Sequence, residues 1–174
     1  MLGIRLVEPT ISHKKTIISF KKEFPISPNG IEGTSQLAFI PKVEDWLDQI
    51  ERNKHWESIR DGWVPGIQYV AVNQEEIVVG MLNLRLTLND YLLNYGGHIG
   101  YSVRPSQRSK GYGSEMLKLA LLEAKNQGLS NLLLTCQDDN IASATVILNN
   151  QGIMEDKRWD PHEGNLTRRY WINC

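Results

Sequence analysis

Residues 98–113 read HIGYSVRPSQRSKGYG. His98 to Val103 is mainly β-branched, aromatic or apolar, bounded by Gly97 and Pro105, and predicts a strand over Ile99–Val103. Arg104 to Lys110 is polar and broken by a proline, which predicts a turn. From Gly113 the period changes: Leu117, Ala120, Leu121 and Ala124 fall on one helical face, and Gly128 ends the run. A strand, a short turn and a helix opening on Gly111 and Gly113 make an anion site. The first N–H groups of a helix lack intrahelical partners and carry partial positive charge. Glycine there lets a phosphate approach the backbone. Arg104, Arg108 and Lys110 add cations. The P-loop pattern G-x-x-x-x-G-K-[ST] is absent. The dinucleotide pattern G-x-G-x-x-G would need glycine where Met116 stands. A bare Gly-x-Gly also makes an ordinary tight turn, but its strand, helix and cations favour a diphosphate site.

Outward from this stretch, Leu2–Val7 reads as a strand, and His13–Phe24 and Val43–Trp56 as helices. Residues 25–40 hold Pro25, Pro28, Asn29-Gly30 and Gly33, a loop long enough to be functional. Gln68–Val72 and Ile77–Leu88 read as strands around a turn at residues 73–76. Downstream come a buried strand at Asn131–Thr135, a helix at Ala142–Asn150 and strands at Ile153–Trp159 and Arg168–Ile172. The order predicts one mixed α/β domain over residues 1–174. Its central sheet is mostly antiparallel, with a parallel portion at Ile99–Val103 and Asn131–Thr135.

The 174 residues are 41% hydrophobic and 22% charged, which suits one domain with a full core. A net charge of −1 gives no global field toward nucleic acid or an anionic membrane. Two cysteines, Cys136 and Cys174, make no disulfide framework and suggest a reducing cytoplasm. No apolar run reaches the ~18 residues of a membrane span, and the N-terminus does not read as an export signal.

Arg108-x-x-Gly111-x-Gly113 resembles the acetyl-CoA signature of the GNAT superfamily of N-acetyltransferases, R/Q-x-x-G-x-G/A. Residues 100–105, GYSVRP, resemble the preceding strand, and Asn140-Ile141-Ala142-Ser143 with Asn150 and Gly152 resemble the following helix. The likeness is specific over about residues 97–154. It implies a GNAT-like fold with a twisted sheet of about six or seven strands and about four helices. It further implies acetyl-CoA as co-substrate, no metal, and direct attack by a primary amine of unidentified origin. A homodimer is common among such proteins.

By position, the resemblance has the pantetheine arm pair with backbone groups of Tyr101 and Val103. The Tyr101 N–H would face the thioester oxygen, where a fixed donor stabilises the tetrahedral oxyanion. Backbone amides of Ser109, Lys110, Gly111, Tyr112, Gly113 and Ser114, with Arg108, would hold the diphosphate. Asn140 and Ser143 would contact the cofactor, although Asn140 also suits a helix N-cap. Many relatives carry an acidic tyrosine where this chain has Leu148. Either another group protonates the thiolate or it leaves unprotonated, which its pKa of ~8.5 permits.

Bases for the ammonium acceptor would be His98, whose pKa suits the task, or Glu76, which also reads as a turn residue. His98 equally suits packing at a strand start. Cys136 reads as a small buried residue rather than a nucleophile. Arg85, Asn89, Asp90, Tyr91 and Asn94 suggest acceptor contacts or a plain loop. Trp46 and Trp56 could frame the acceptor cleft or pack in the core, and 159–163 could add contacts. The rival reading is a silent acyl-CoA sensor, favoured only by Leu148. A nucleic-acid protein using the cationic turn is weaker still.

Overall fold

Residues 66–72, GIQYVAV, are buried along their whole length in the computed structural model, which describes residues 2–174. Their alternation explains this: Ile67, Tyr69 and Ala71 face one apolar cluster, Val70 and Val72 the other. A strand covered on both faces has no need of a polar side.

This strand is β2 (Gly66–Val72), and it lies inside a four-stranded antiparallel sheet. Its neighbours are β1 (Arg5–Val7), β3 (Val78–Arg85) and, beyond β3, β4 (Ile99–Val103). On one face pack α1 (Lys14–Lys22) and α2 (Val43–Arg52), through Ile17, Phe20, Val43, Trp46 and Ile50. On the other packs α3 (Tyr112–Asn126), through Met116, Leu117, Ala120 and Ala124. The same apolar cluster continues into a second antiparallel sheet of β5 (Asn131–Gln137), β7 (Asn165–Asn173) and β6 (Ile153–Asp160), in that order, with α4 (Ile141–Asn149) beside it.

Local chemistry sets the ends. Gly128, at φ +83°, stops α3: its N–H donates to Lys125 O and the Leu129 N–H to Ala124 O, which satisfies the last carbonyls. Asn140 Oδ1 accepts from the Ser143 N–H at 3.1 Å and starts α4. Asn73 Oδ1 accepts from Glu75 and Ile77 N–H and shapes the β2–β3 turn.

The expected strand over Ile99–Val103 is found as stated, whereas β3 stops at Arg85 and α2 at Arg52. The expected parallel portion is the main correction. β4 and β5 bond only where they begin, so the strands form two antiparallel sheets rather than one mixed sheet. A π-helical turn over Leu92–Gly96, read from the sequence as loop, precedes β4. Among the described residues no helix is long and apolar enough to cross a membrane.

Candidate active site

The Arg85 N–H donates to His98 O at 2.7 Å and the Arg104 N–H to Val79 O at 2.8 Å. Gly100 lies opposite Asn83 and Ser102 opposite Met81. Alternate residues of an antiparallel pair face the partner strand. The backbone groups of Gly100 and Ser102 therefore point at β3, and those of Ile99, Tyr101 and Val103 point away, toward β5. That outer edge meets β5 at one place. The His98 N–H donates to Leu133 O at 2.7 Å, and the Leu133 N–H donates to His98 Nδ1 at 2.9 Å. Beyond this pin the two strands belong to separate sheets, and the outward backbone of Tyr101 and Val103 borders the gap between them.

At the far end of β4 the chain turns into α3. Ser109 at φ +61° and Gly111 at φ +85° alternate with ordinary residues, a nest-like geometry that gathers backbone N–H groups. Gly111 is the N-cap and supplies no side-chain cap, so the first amides of α3 lack that partner. Gly113 serves packing. A methyl there would lie 3.2 Å from Val146 Cγ2 and 3.5 Å from Tyr101 Cε2. Arg108 and Lys110 are exposed beside the turn; Arg108 Nε donates to Val103 O and Lys110 Nζ to Gln107 Oε1. The third expected cation is elsewhere. Arg104 is buried against α1, bonded to Ser19, Glu23 and the Thr16 carbonyl, so it ties α1 to β4 and is turned away from the anion site.

The hydroxyl of Tyr101 reaches across to α4 and lies 3.2 Å from Ser143 Oγ. Burial raises its pKa, so it stays protonated at neutral pH. Asn140 is the N-cap of α4. Leu148 is 55% exposed on the same helix. Cys136 is a free, buried thiol whose pKa burial raises, the opposite of an activated nucleophile.

His98 is 7% exposed. Burial first, then the nearby Arg85 charge, pushes its pKa down to about 4. The ring is therefore neutral near pH 7, and its Nδ1 lone pair is already engaged by the Leu133 N–H. Glu76 is a turn residue at φ +58°, paired with Arg5 at the opposite end of β3 from His98. The polar set around the π-helical turn is mostly structural. Arg85 Nη1 holds the carbonyls of Gly96 and Gly97, and Asn89 receives the Leu92 N–H. Arg158 Nη1 bonds Asn94 Oδ1, and buried Arg169 bonds Leu93 O. Tyr91 donates to Asp160 Oδ2 at 3.0 Å beside the His162 ring. Trp46 is wholly buried and Trp56 is 63% exposed.

The residue that the sequence reading passed over is Glu32. The loop 25–40 presses onto β4, and a methyl on Gly100 would lie 2.6 Å from Glu32 Oε1. The available signal was an acid next to Gly33 within a long loop.

The site thus combines two antiparallel sheets that part between β4 and β5 with a helix that starts on glycines. A model of the acetyltransferase (GNAT) family matches residues 35–148, about two thirds of the chain, and the chain belongs to that family. The match reaches well upstream of residue 97, where the motifs begin. Solved structures agree in fold. One is the acetyl transferase from Salmonella typhimurium that modifies the N-terminal serine of 50S ribosomal subunit protein L7/L12, with TM-score 0.67, 16% identity, and coverage of 100% of this chain and 96% of that one. Another is a spermidine N-acetyltransferase SpeG chimera from Vibrio cholerae and hSSAT, at 0.66, 13%, 98% and 95%. A GNAT-family acetyltransferase from Bacillus anthracis gives 0.64, 18%, 98% and 95%. A search among curated protein sequences finds no match.

Proposed function

We propose that the chain transfers the acetyl group of acetyl-CoA to a primary amine by direct attack, without a metal. The observation that carries this reading is the cleft between β4 and β5. It runs from the amides of Ser109–Ser114 to the outward-facing backbone of Tyr101 and Val103. Extended pantetheine can pair with that backbone as a strand would, while the diphosphate takes the free amides. The Tyr101 N–H then stands where the oxyanion forms. A fixed donor at such a position contributes ~2.7–4 kcal/mol to the transition state. Asn140, besides capping α4, and Ser143 border the cleft on its other side.

In this reading His98 is a positioning residue. Its neutral ring holds β4 to β5 at one point and thereby sets where the cleft opens; acting as a base would require it to give up the Leu133 bond. The Tyr101 hydroxyl is the proton donor to the departing thiolate, in place of the hydroxyl that Leu148 lacks. The two free thiols support a reducing, cytoplasmic setting.

The test is thiol release from acetyl-CoA across a panel of diamines, monoamines and peptides with free N-termini. The proposal expects saturable release with at least one acceptor and acetylated amine in equal amount. Tight acetyl-CoA binding with no release from any acceptor would favour a silent sensor.

A further inference from the structure

We propose that Glu32 is the catalytic base: its carboxylate receives the acceptor's ammonium group over Gly100 and takes its proton. This rests on the acetyltransferase reading above and assigns the acceptor side of the same site.

Much of the fold on this side serves to hold one loop. Three of the four residues 33–36 are left-handed: Gly33 at φ +71°, Ser35 at +51° and Gln36 at +67°. Such backbone is uncommon outside glycine and persists only where surroundings enforce it. Here the enforcement is visible. Thr34 Oγ1 donates to Ile31 O at 2.7 Å, and the Trp46 indole N–H to Thr34 O at 2.8 Å. Gln68, buried in β2, donates to Gly33 O at 2.8 Å, and Gln49 donates to Ser35 O at 3.0 Å. Ser102 of β4 donates to the Glu32 carbonyl itself. Thr34, Trp46 and Gln68 are each at most 2% exposed.

This network fixes Glu32 against β4. A methyl on Gly33 would lie 2.3 Å from Gly100 O and 2.5 Å from Tyr101 Cα, so only glycine permits the approach. The absent side chain of Gly100 leaves the space that Glu32 Oε1 occupies. The carboxylate thus sits one residue from the Tyr101 amide, on the face of β4 opposite the Tyr101 ring, which packs toward α3 and α4. It is exposed, and among the described residues it has no hydrogen-bond or ion-pair partner. An anion carried on a fixed backbone, left unpaired and set over Gly100 suits an ammonium guest. Its charge also reaches Arg85 and Tyr91.

The step balances. The ammonium gives one proton to the Glu32 carboxylate and becomes a free amine. The amine attacks the thioester carbonyl, forming the C–N bond, and the oxyanion faces the Tyr101 N–H. Collapse breaks the C–S bond; the nitrogen gives its second proton to water, and the Tyr101 hydroxyl gives its proton to the thiolate and regains one from water. Glu32 returns its proton to water.

The experiment compares wild type, Glu32→Gln and Gly100→Ala across pH 6 to 10, using the best amine of the panel and measuring acetyl-CoA affinity alongside. Glu32→Gln keeps the shape and removes the base. Expected is unchanged acetyl-CoA affinity and a loss in kcat/KM for the amine of about 100-fold or more at pH 7, within the range of general-base catalysis. The loss should shrink as pH approaches the amine's own pKa, where free amine needs no base. Gly100→Ala displaces the carboxylate with Glu32 intact and should show the same pH-dependent loss. Equal activity in Glu32→Gln, or a loss of one size at every pH, would overturn the assignment. If wild type releases no thiol with any amine, the acetyltransferase reading fails and the assignment falls with it.

Discussion

The two sides of β4 are built on different principles. On the side of α3 and α4, the proposed function rests on backbone: amides at a helix start, the outer edge of a strand, and glycines that clear space. On the side of α1 and α2 it rests on one side chain, Glu32, held by a buried polar network. Backbone recognition suits a cofactor whose diphosphate and amide arm present the same groups each time. Side-chain recognition on a loop can change from one acceptor to another without disturbing the donor site. The fold thus separates what stays fixed from what can vary.

If the separation is real, damage to the loop network should leave the donor side working. Trp46→Ala removes a fully buried side chain and strands the Thr34 carbonyl it bonds. A loss of ~3–5 kcal/mol in stability is expected, measured by urea unfolding. Below the melting temperature, acetyl-CoA affinity should persist while amine transfer is lost. Loss of both together would break the comparison.

His98 joins the sheets that the comparison divides. Its folded pKa of about 4 lies below the ordinary 6.5, so the unfolded chain binds the extra proton between these values. Stability from this group is complete above pH 6.5 and is lost as pH falls toward 4, a change of about 3 kcal/mol. Unfolding of wild type and His98→Gln at pH 7 and pH 4.5 should show a flatter pH dependence in the variant. Turnover of wild type between pH 7 and 9 should show no titration from this ring.

Tyr101→Phe keeps the backbone amide and removes the hydroxyl. A thiolate leaves readily, so only about a tenfold fall in kcat is expected, below the usual range for a positioned acid. Acetyl-CoA affinity should be unchanged; an affinity loss would place the hydroxyl in cofactor binding instead. The smallest effect belongs to the exposed cations. Lys110→Ala should weaken acetyl-CoA about threefold at low salt and less at high salt, as for other exposed charge pairs.

The elements of the proposed donor half were legible in the sequence because their signals are local. The spacing of Leu117, Ala120 and Ala124, the glycines at 111 and 113, and Asn140 each report on chain neighbours within a turn or two. Even there Arg104 misled, because a cation near an anion site in sequence can be claimed by a distant acid, here Glu23 of the segment ending α1. The parting of β4 from β5 followed only from the resemblance, and the contacts that set where it begins join distant residues: Gly97 at φ +67° lies against Leu133 O, and the Leu133 N–H bonds the His98 ring. The acceptor half was not legible because Glu32 meets Gly100 across 68 positions of chain. The length of loop 25–40 marked it as functional, but nothing local to Glu32 shows what it faces.

The most direct test of the account is calorimetric titration of acetyl-CoA into wild type and Gly111→Val, with circular dichroism of both. Gly111 sits at φ +85°, where a β-branched residue is strained, and at the amides assigned to the diphosphate. The account predicts saturable one-to-one binding to wild type and a loss of about 100-fold or more in the variant with its spectrum unchanged, a few kcal/mol being the scale of such strain together with lost anion contacts. Equal affinity in the two folded proteins would contradict it.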